Sequence, residues 1–429
     1  MHQLYEGLHN VLYHLLKNSN TREKVLEYLA EVIDKNAARA RININPLKCA
    51  SSGMFVNISA VMLKLCAPFL EDLKKMTLID PNYILHSNCL DFQKLTAIHA
   101  SSEEIATWVD RGNYSRTEGF RQLQQQREQE ERRVLQSQGA TSSGNNHASD
   151  SIISNLIRKS SSDERQTRYS FVTECFFMTA RILNLGLLRA LSDYKGLMHD
   201  LSRSKDALAT LEAQRGSGAP PQLEQDIANA KTEIDRLSQQ RLCYEAQILR
   251  DVPLLQQALS FYRLLLILLV NLVGGFRIPL PAECPMEFTS MPEQFVDDAI
   301  ELLLITSRVP RCLDGVVLDV FMNFIIMFMA SPLYVKNPYL RAKMVEVLNA
   351  WIPDKSELPA MDTLFEGHPL AQEYLVFNLL KLFVDIEFTG SHTQFYDKFN
   401  IRHNIAELLE YLWQVPSHHN AWIKVDITS

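Results

Sequence analysis

The chain has 429 residues, 46% of them hydrophobic and 22% charged, with a formal net charge of -7. That length allows about two to four ordinary domains or one repeat array, and the composition is that of an ordinary globular protein. The acidic balance argues against a general phosphate-binding surface, which needs Lys and Arg in excess on one face.

The N-terminal "MHQLYEGLHNVLYHLL" has no basic leader region and no small-residue cleavage site, so it is not a secretory signal. Leu4, Leu8, Leu12 and Leu15 recur at helical spacing and predict an amphipathic helix. Phe55, Ile58, Met62, Leu65 and Phe69 predict a second stripe, capped by Ser51 or Ser52 and disturbed near its end by Pro68. Residues 80–99 are apolar but aperiodic and predict an ordered loop.

Residues 1–113 thus form an N-terminal helical part. Residues 114–155, a Gln/Glu/Arg run decaying into Ser, Gly and Asn, offer little to bury and predict a disordered low-complexity insertion. The rest, 156–429, predicts a helical-repeat core. Within it, 192–249 predicts an antiparallel coiled-coil hairpin. Leu197, Leu201, Leu208 and Leu211 form one seam. Leu223, Ile227, Ala230, Ile234, Leu237, Tyr244 and Ile248 form the other, with "RGSGAPP" breaking the helix between them.

From Val252 onward, apolar segments alternate with Pro-containing turns such as "RIPLPAECP" and "WIPDKSELPAM". Helix, proline turn, helix is the pattern of an α-solenoid, because each pair must bury its remaining face on the next. Trp351 and Trp413 are read as packing residues. Leu264–Val273 and Val316–Val335 fall short of the about 20 uninterrupted apolar residues of a membrane span and are read as buried helices. The fold class is all-α: an elongated irregular solenoid of armadillo- or HEAT-like repeats with a projecting antiparallel helical hairpin.

The motifs G-x-S-x-G, H-E-x-x-H and G-x-x-x-x-G-K-[ST] do not occur. Gly216 and Gly218 sit in the hairpin turn, a wrong setting for phosphate. The seven cysteines include no C-x-x-C and are read as reduced core thiols of a cytosolic or nuclear protein. Cys175 in "TECFF" is one of them, because the flanking carboxylate of Glu174 disfavours the thiolate a nucleophile needs. His392, His403, His418 and His419 lack an acidic or thiol partner at ligand spacing. Asp297-Asp298 and Glu103-Glu104 are placed at helix starts, where carboxylates favour the positive end of the macrodipole. No catalytic, cofactor-binding or metal-binding residue is assigned, and no cofactor. In "GSHTQFYDKFNIRHNIAELL", Phe395, Tyr396 and Phe399 are read as packing groups leading into the stripe Ile401, Ile405, Leu408 and Leu412. Asp397, Lys398 and Arg402 are read as the rim of a helix–helix corner.

Five segments carry a family resemblance, in order along the chain: "SSGMFVN" (Ser51–Asn57), "IDPNYI" (Ile79–Ile84), "TECFF" (Thr173–Phe177), "NPYL" (Asn337–Leu340) and "FYDKFNIR" (Phe395–Arg402). Together they resemble the ubiquitin elongating factor core of U-box ubiquitin ligases. The resemblance implies an elongated all-α core that holds partners and substrate while a U-box recruits the ubiquitin-loaded conjugating enzyme. No U-box pattern occurs in this chain, which is therefore expected to be the N-terminal half of the core and inactive alone. The partners implied are a ubiquitin-conjugating enzyme, ubiquitinated substrates, a valosin-containing AAA ATPase and ubiquitin-like shuttle proteins. Nucleic acid and membrane are not expected as partners. A monomer in the cytoplasm, and also the nucleus, is expected. The alternative is a helical adaptor of transport or coat type without a link to ubiquitin.

Overall fold

A computed structural model of the chain describes residues 2–41, 44–45, 47–87, 89–109, 169–215, 221–353, 355, 360–387 and 395–428. The predicted insertion 114–155, the turn centre 216–220 and His392 lie outside them. The chain divides into two units, residues 1–99 with 170–429, and residues 100–169.

The first unit opens with α1 (His2–Lys17), α2 (Ser19–Lys35), α3 (Ser52–Leu70) and the single turn α4 (Tyr83–His86). In the second unit, α5 covers residues 102–109. Its start is a reciprocal capping box: the Ser101 amide donates to Glu104, and the Glu104 amide donates to Ser101 Oγ. Glu103-Glu104 therefore does sit at a helix start.

The first unit resumes with α6 (Phe171–Leu183), a π-helical turn (Asn184–Leu188), α7 (Arg189–Ala213), α8 (Pro221–Tyr244) and a second π turn (Glu245–Leu249). There follow α9 (Val252–Leu272), α10 (Met286–Thr289), α11 (Glu293–Thr306), α12 (Asp319–Phe328), α13 (Pro338–Ala350) and α14 (Ala360–Glu366). A third π turn (Ala371–Leu375) leads to α15 (Val376–Asp385), α16 (Phe395–Gln414) and α17 (His419–Thr428). Among the described residues there is no strand, only an isolated antiparallel bridge between Ala97 and Pro292.

The helices pack in a solenoid-like succession: α9 on α11, α11 on α13, α13 on α16, with α12 and α15 behind them. At the N-terminal end, α3 packs against α6, the first π turn and α9. This is the α-solenoid logic of elements that bury one face on the previous helix and one on the next. α9 contains Leu264–Leu272 and is buried along most of its length. By length and composition alone, Ser52–Leu70, Phe171–Ala213 and Val252–Leu272 could each cross a membrane; here most of each apolar stretch is covered by neighbouring helices.

The antiparallel hairpin is present. Tyr194 lies against Tyr244 at 6.5 Å, and Leu197 and Leu201 pack on Leu237. Lys231 pairs with Glu212 at 2.9 Å and Arg215 with Glu224 at 2.8 Å. Antiparallel pairing is the only way these four rungs can coexist.

Three expectations are corrected. In α1 the leucine stripe does not face the core: Leu4, Leu8 and Leu15 are exposed, and Tyr5 and Leu16 are the buried residues. The loop at 80–99 contains a helical turn, α4, before it becomes a strap along the α10–α11 junction, with the Ile98 amide donating to Met291 O at 2.8 Å. Trp351 is fully buried and donates from Nε1 to Ser307 Oγ at 2.9 Å, but Trp413 is 64% exposed and meets the edge of Trp422.

Candidate functional site

The segments that carry the family resemblance join elements far apart in sequence. Ser51 caps α3 by accepting from the Met54 amide, and Ser52 donates to Asp193 at the foot of α7. In "IDPNYI" and "TECFF", Thr173 Oγ1 accepts from the Asp80 amide at 3.1 Å and donates to Leu78 O at 2.8 Å. Tyr83 then stacks on Phe177 at 5.2 Å, and Phe177 lies 6.2 Å from Phe295 in a buried aromatic cluster. In "NPYL" and "FYDKFNIR", Tyr339 OH donates to Asp397 at 3.2 Å, while Asn337 caps α13 and donates to Glu293. These residues act as joints.

Among the described residues, Asp298 is the carboxylate shifted furthest. Its placement at a helix start is corrected: α11 begins at Glu293, so Asp297 and Asp298 lie in its second turn and the helical rotation turns Asp298 inward. Both Asp298 oxygens accept from Asn184 Nδ2 at 3.0 Å, and Tyr262 OH donates at 3.4 Å. Asn184 Oδ1 in turn accepts from Arg181 Nη1, which also donates to Gln294. Burial pushes the Asp298 carboxyl up to about 7; the Asn184 hydrogen bond opposes this and the Asp297 charge adds to it. The same burial lowers Arg181 and raises Tyr262. A carboxyl near neutrality is what a general acid or base needs, but this one is enclosed by its own partners. Its role is to tie α11 and α9 to the first π turn.

A second buried polar centre, which sequence reasoning missed, is Arg39. Its Nε donates to Leu185 O at 2.8 Å, its Nη2 to Ser52 Oγ at 3.0 Å, and its Nη1 to Ala50 O. The guanidinium lies 4.9 Å from the Phe55 ring centre. Burial lowers its pKa, and the charge of Asp193 opposes that shift. No local pattern in "KNAARARI" marks it. Asn184 did leave a signal, as a polar residue inside the apolar run "ARILNLGLL".

Cys175 is buried, with its Sγ 3.9 Å from Cys66 Sγ; burial raises the Cys66 thiol. His418 is buried, its Nε2 3.0 Å from Phe365 O, and burial lowers its pKa. His403 faces Glu407 at 3.8 Å. His419, beside His418, is exposed. Among the described residues no three His, Cys, Asp or Glu side chains are placed to share a metal ion.

The reading of "FYDKFNIR" is half right. Ile401, Ile405, Leu408 and Leu412 are buried, whereas Tyr396 is 76% and Phe399 62% exposed. At 100° per residue both aromatics point well away from the stripe that starts at Ile401. Phe399 stacks on His403 at 6.4 Å. Arg402 reaches Glu387 at 2.5 Å and covers the Phe383 ring, as a rim residue would. The Phe395 side chain lies outside the described residues. Nearby, a surface groove of about 510 Å³ is walled by Ile278, Pro279, Met327, Tyr374 and Phe377, with Glu373 and Lys381 as its charged residues. It is an apolar furrow, unlike a polar pocket of convergent titratable groups.

Residues 1–428 match the family described as ubiquitin elongating factor core. A probable ubiquitin conjugation factor E4 of Arabidopsis thaliana is 59% identical over 99% of this chain and 40% of its own length. Ubiquitin conjugation factor E4 of Schizosaccharomyces pombe is 24% identical over 94% of the chain and 36% of its own length. The E4 ubiquitin-protein ligase UFD2 of Saccharomyces cerevisiae is 25% identical over 94% of the chain and 40% of its own length. The chain thus spans about two fifths of the length of these curated relatives.

Proposed function

The chain belongs to the ubiquitin elongating factor core family, and from that premise we propose that it is the partner-holding scaffold of a U-box-type ubiquitin ligase that lengthens ubiquitin chains on substrates for proteasomal degradation. The observation that carries this reading is the family match along residues 1–428 on a stack of helices whose buried polar groups serve as joints. Family membership sets aside the helical adaptor without a link to ubiquitin. Transfer itself belongs to a U-box elsewhere in the full protein, which would position the conjugating enzyme's thioester; catalysis of that kind is proximity and orientation.

The partners proposed are a ubiquitin-conjugating enzyme, met through that U-box, and ubiquitinated substrates held by the core. A valosin-containing AAA ATPase and ubiquitin-like shuttle proteins complete the set. A monomer working in the cytoplasm and nucleus fits this reading. The test compares the full-length protein with a version lacking the region equivalent to residues 1–428. The expected result is that discharge of a ubiquitin-loaded conjugating enzyme persists while chain lengthening on a ubiquitinated substrate is lost. Undiminished lengthening by the shortened protein overturns the reading.

A further inference from the structure

The hairpin meets the rest of the first unit through two π turns, Asn184–Leu188 before α7 and Glu245–Leu249 after α8. A π turn interrupts the i→i−4 ladder with a wider ring, and such turns concentrate at functional positions and bends. Both turns lie against the start of α3, the first also held by Arg39. Arg39 is buried and takes the Leu185 carbonyl inside the first turn, while its other nitrogens hold Ala50 O and Ser52 Oγ. Gln247, inside the second turn, donates to Gly53 O at 3.4 Å. Gly186 lies so close to α3 that a Cβ there would meet Ser59 Oγ at 2.5 Å and Phe55 O at 2.8 Å.

The electrostatics point the same way. The Arg39 charge is balanced by Asp193, in the second turn of α7, which also accepts from Ser52 and pairs with Arg189 at 2.8 Å. Arg189 reaches back to Arg41 O. Across the foot of the hairpin, Tyr194 donates to Glu245, which Arg241 faces at 3.4 Å. A buried guanidinium whose compensating carboxylate sits on the hairpin penalises any motion that separates them, because the charge would be left uncompensated. On the opposite side, Asn184 opens the first π turn and is held by Asp298 of α11.

We propose that the α7–α8 hairpin is a latched lever: its two π turns are the hinges, Arg39 is the latch that ties the first turn to the start of α3, where Gln247 ties the second, and displacement of the hairpin by a bound protein frees the two turns together. Arg39 thereby makes the hairpin a reporter to the stack, since the first turn is shared with Asp298 on α11. The device depends on the fold and not on the ubiquitin reading.

Hydrogen exchange read by mass spectrometry on the full chain tests this. Arg39→Lys keeps the charge but cannot span three acceptors. The expected result is a rise of about tenfold or more in exchange at both 184–188 and 245–249, with 321–328 in α12 unchanged. No rise, or a rise confined to one of the two turns, overturns the latch. If Arg39→Lys also loosens 321–328, the same two outcomes are read on Ser52→Ala, which removes one Arg39 acceptor and the donor to Asp193 while leaving the guanidinium in place.

Discussion

The hairpin and the stack are written with the same helical period, yet they are held in different ways. α9 is covered by α3, α11 and α12, so its apolar residues are buried on several sides. In α7 and α8 a single seam is buried, through Leu197, Leu201, Leu223, Ile227 and Leu237, and ion pairs such as Lys231–Glu212 lie along its flank in solvent. Stability should therefore fall from the stack to the hairpin tip. The buried polar groups that could unfasten the two, Arg39 and the Asp298–Asn184 pair, lie where one kind of packing gives way to the other.

The largest effect belongs to the stack. Phe177→Ala empties the centre of the aromatic cluster and is expected to cost about 3–5 kcal/mol, lowering the whole thermal transition. Asp298 comes next. Its folded value near 7 lies above the 3.8 of an ordinary aspartate, so the folded chain holds this proton more tightly than the unfolded one. That stability is fully present below about pH 4 and is lost as the pH rises through about 7, by at most about 4 kcal/mol. Denaturant titrations between pH 4 and 8 should show the slope in the wild type and a flatter one in Asp298→Asn.

In the hairpin, Leu201→Ala is expected to cost about 2 kcal/mol, the low end for a buried leucine because a two-helix seam can partly collapse. Faster amide exchange should be confined to α7 and α8; a matching rise in α9 would erase the distinction between the regions. The smallest effect is Lys231→Ala, below about 0.5 kcal/mol and vanishing in high salt, since its partner is half exposed.

Much of this was legible in the residues. Period gave the two hairpin seams and the α16 stripe, and Ser51 or Ser52 announced the start of α3, where Ser51 is the cap. The misplaced α1 stripe has a physical cause: period says which side chains share a face but not whether another helix covers it. Leu4, Leu8 and Leu15 form a proper stripe that faces outward, and Trp413 is bulky yet exposed. Asp298 was misread because α11 starts at Glu293, four residues before the Asp pair, which swings the second carboxyl into the core. The Arg39 contact with Leu185 spans 146 positions, a distance at which no local pattern speaks.

The central claim, that this region grips partners and leaves bond-breaking to another part of the protein, is tested most directly by discharge of a ubiquitin-loaded conjugating enzyme in the presence of purified residues 1–429. The thioester is expected to decay at the rate seen without the chain. Faster decay, with ubiquitin passing to lysine, would contradict it.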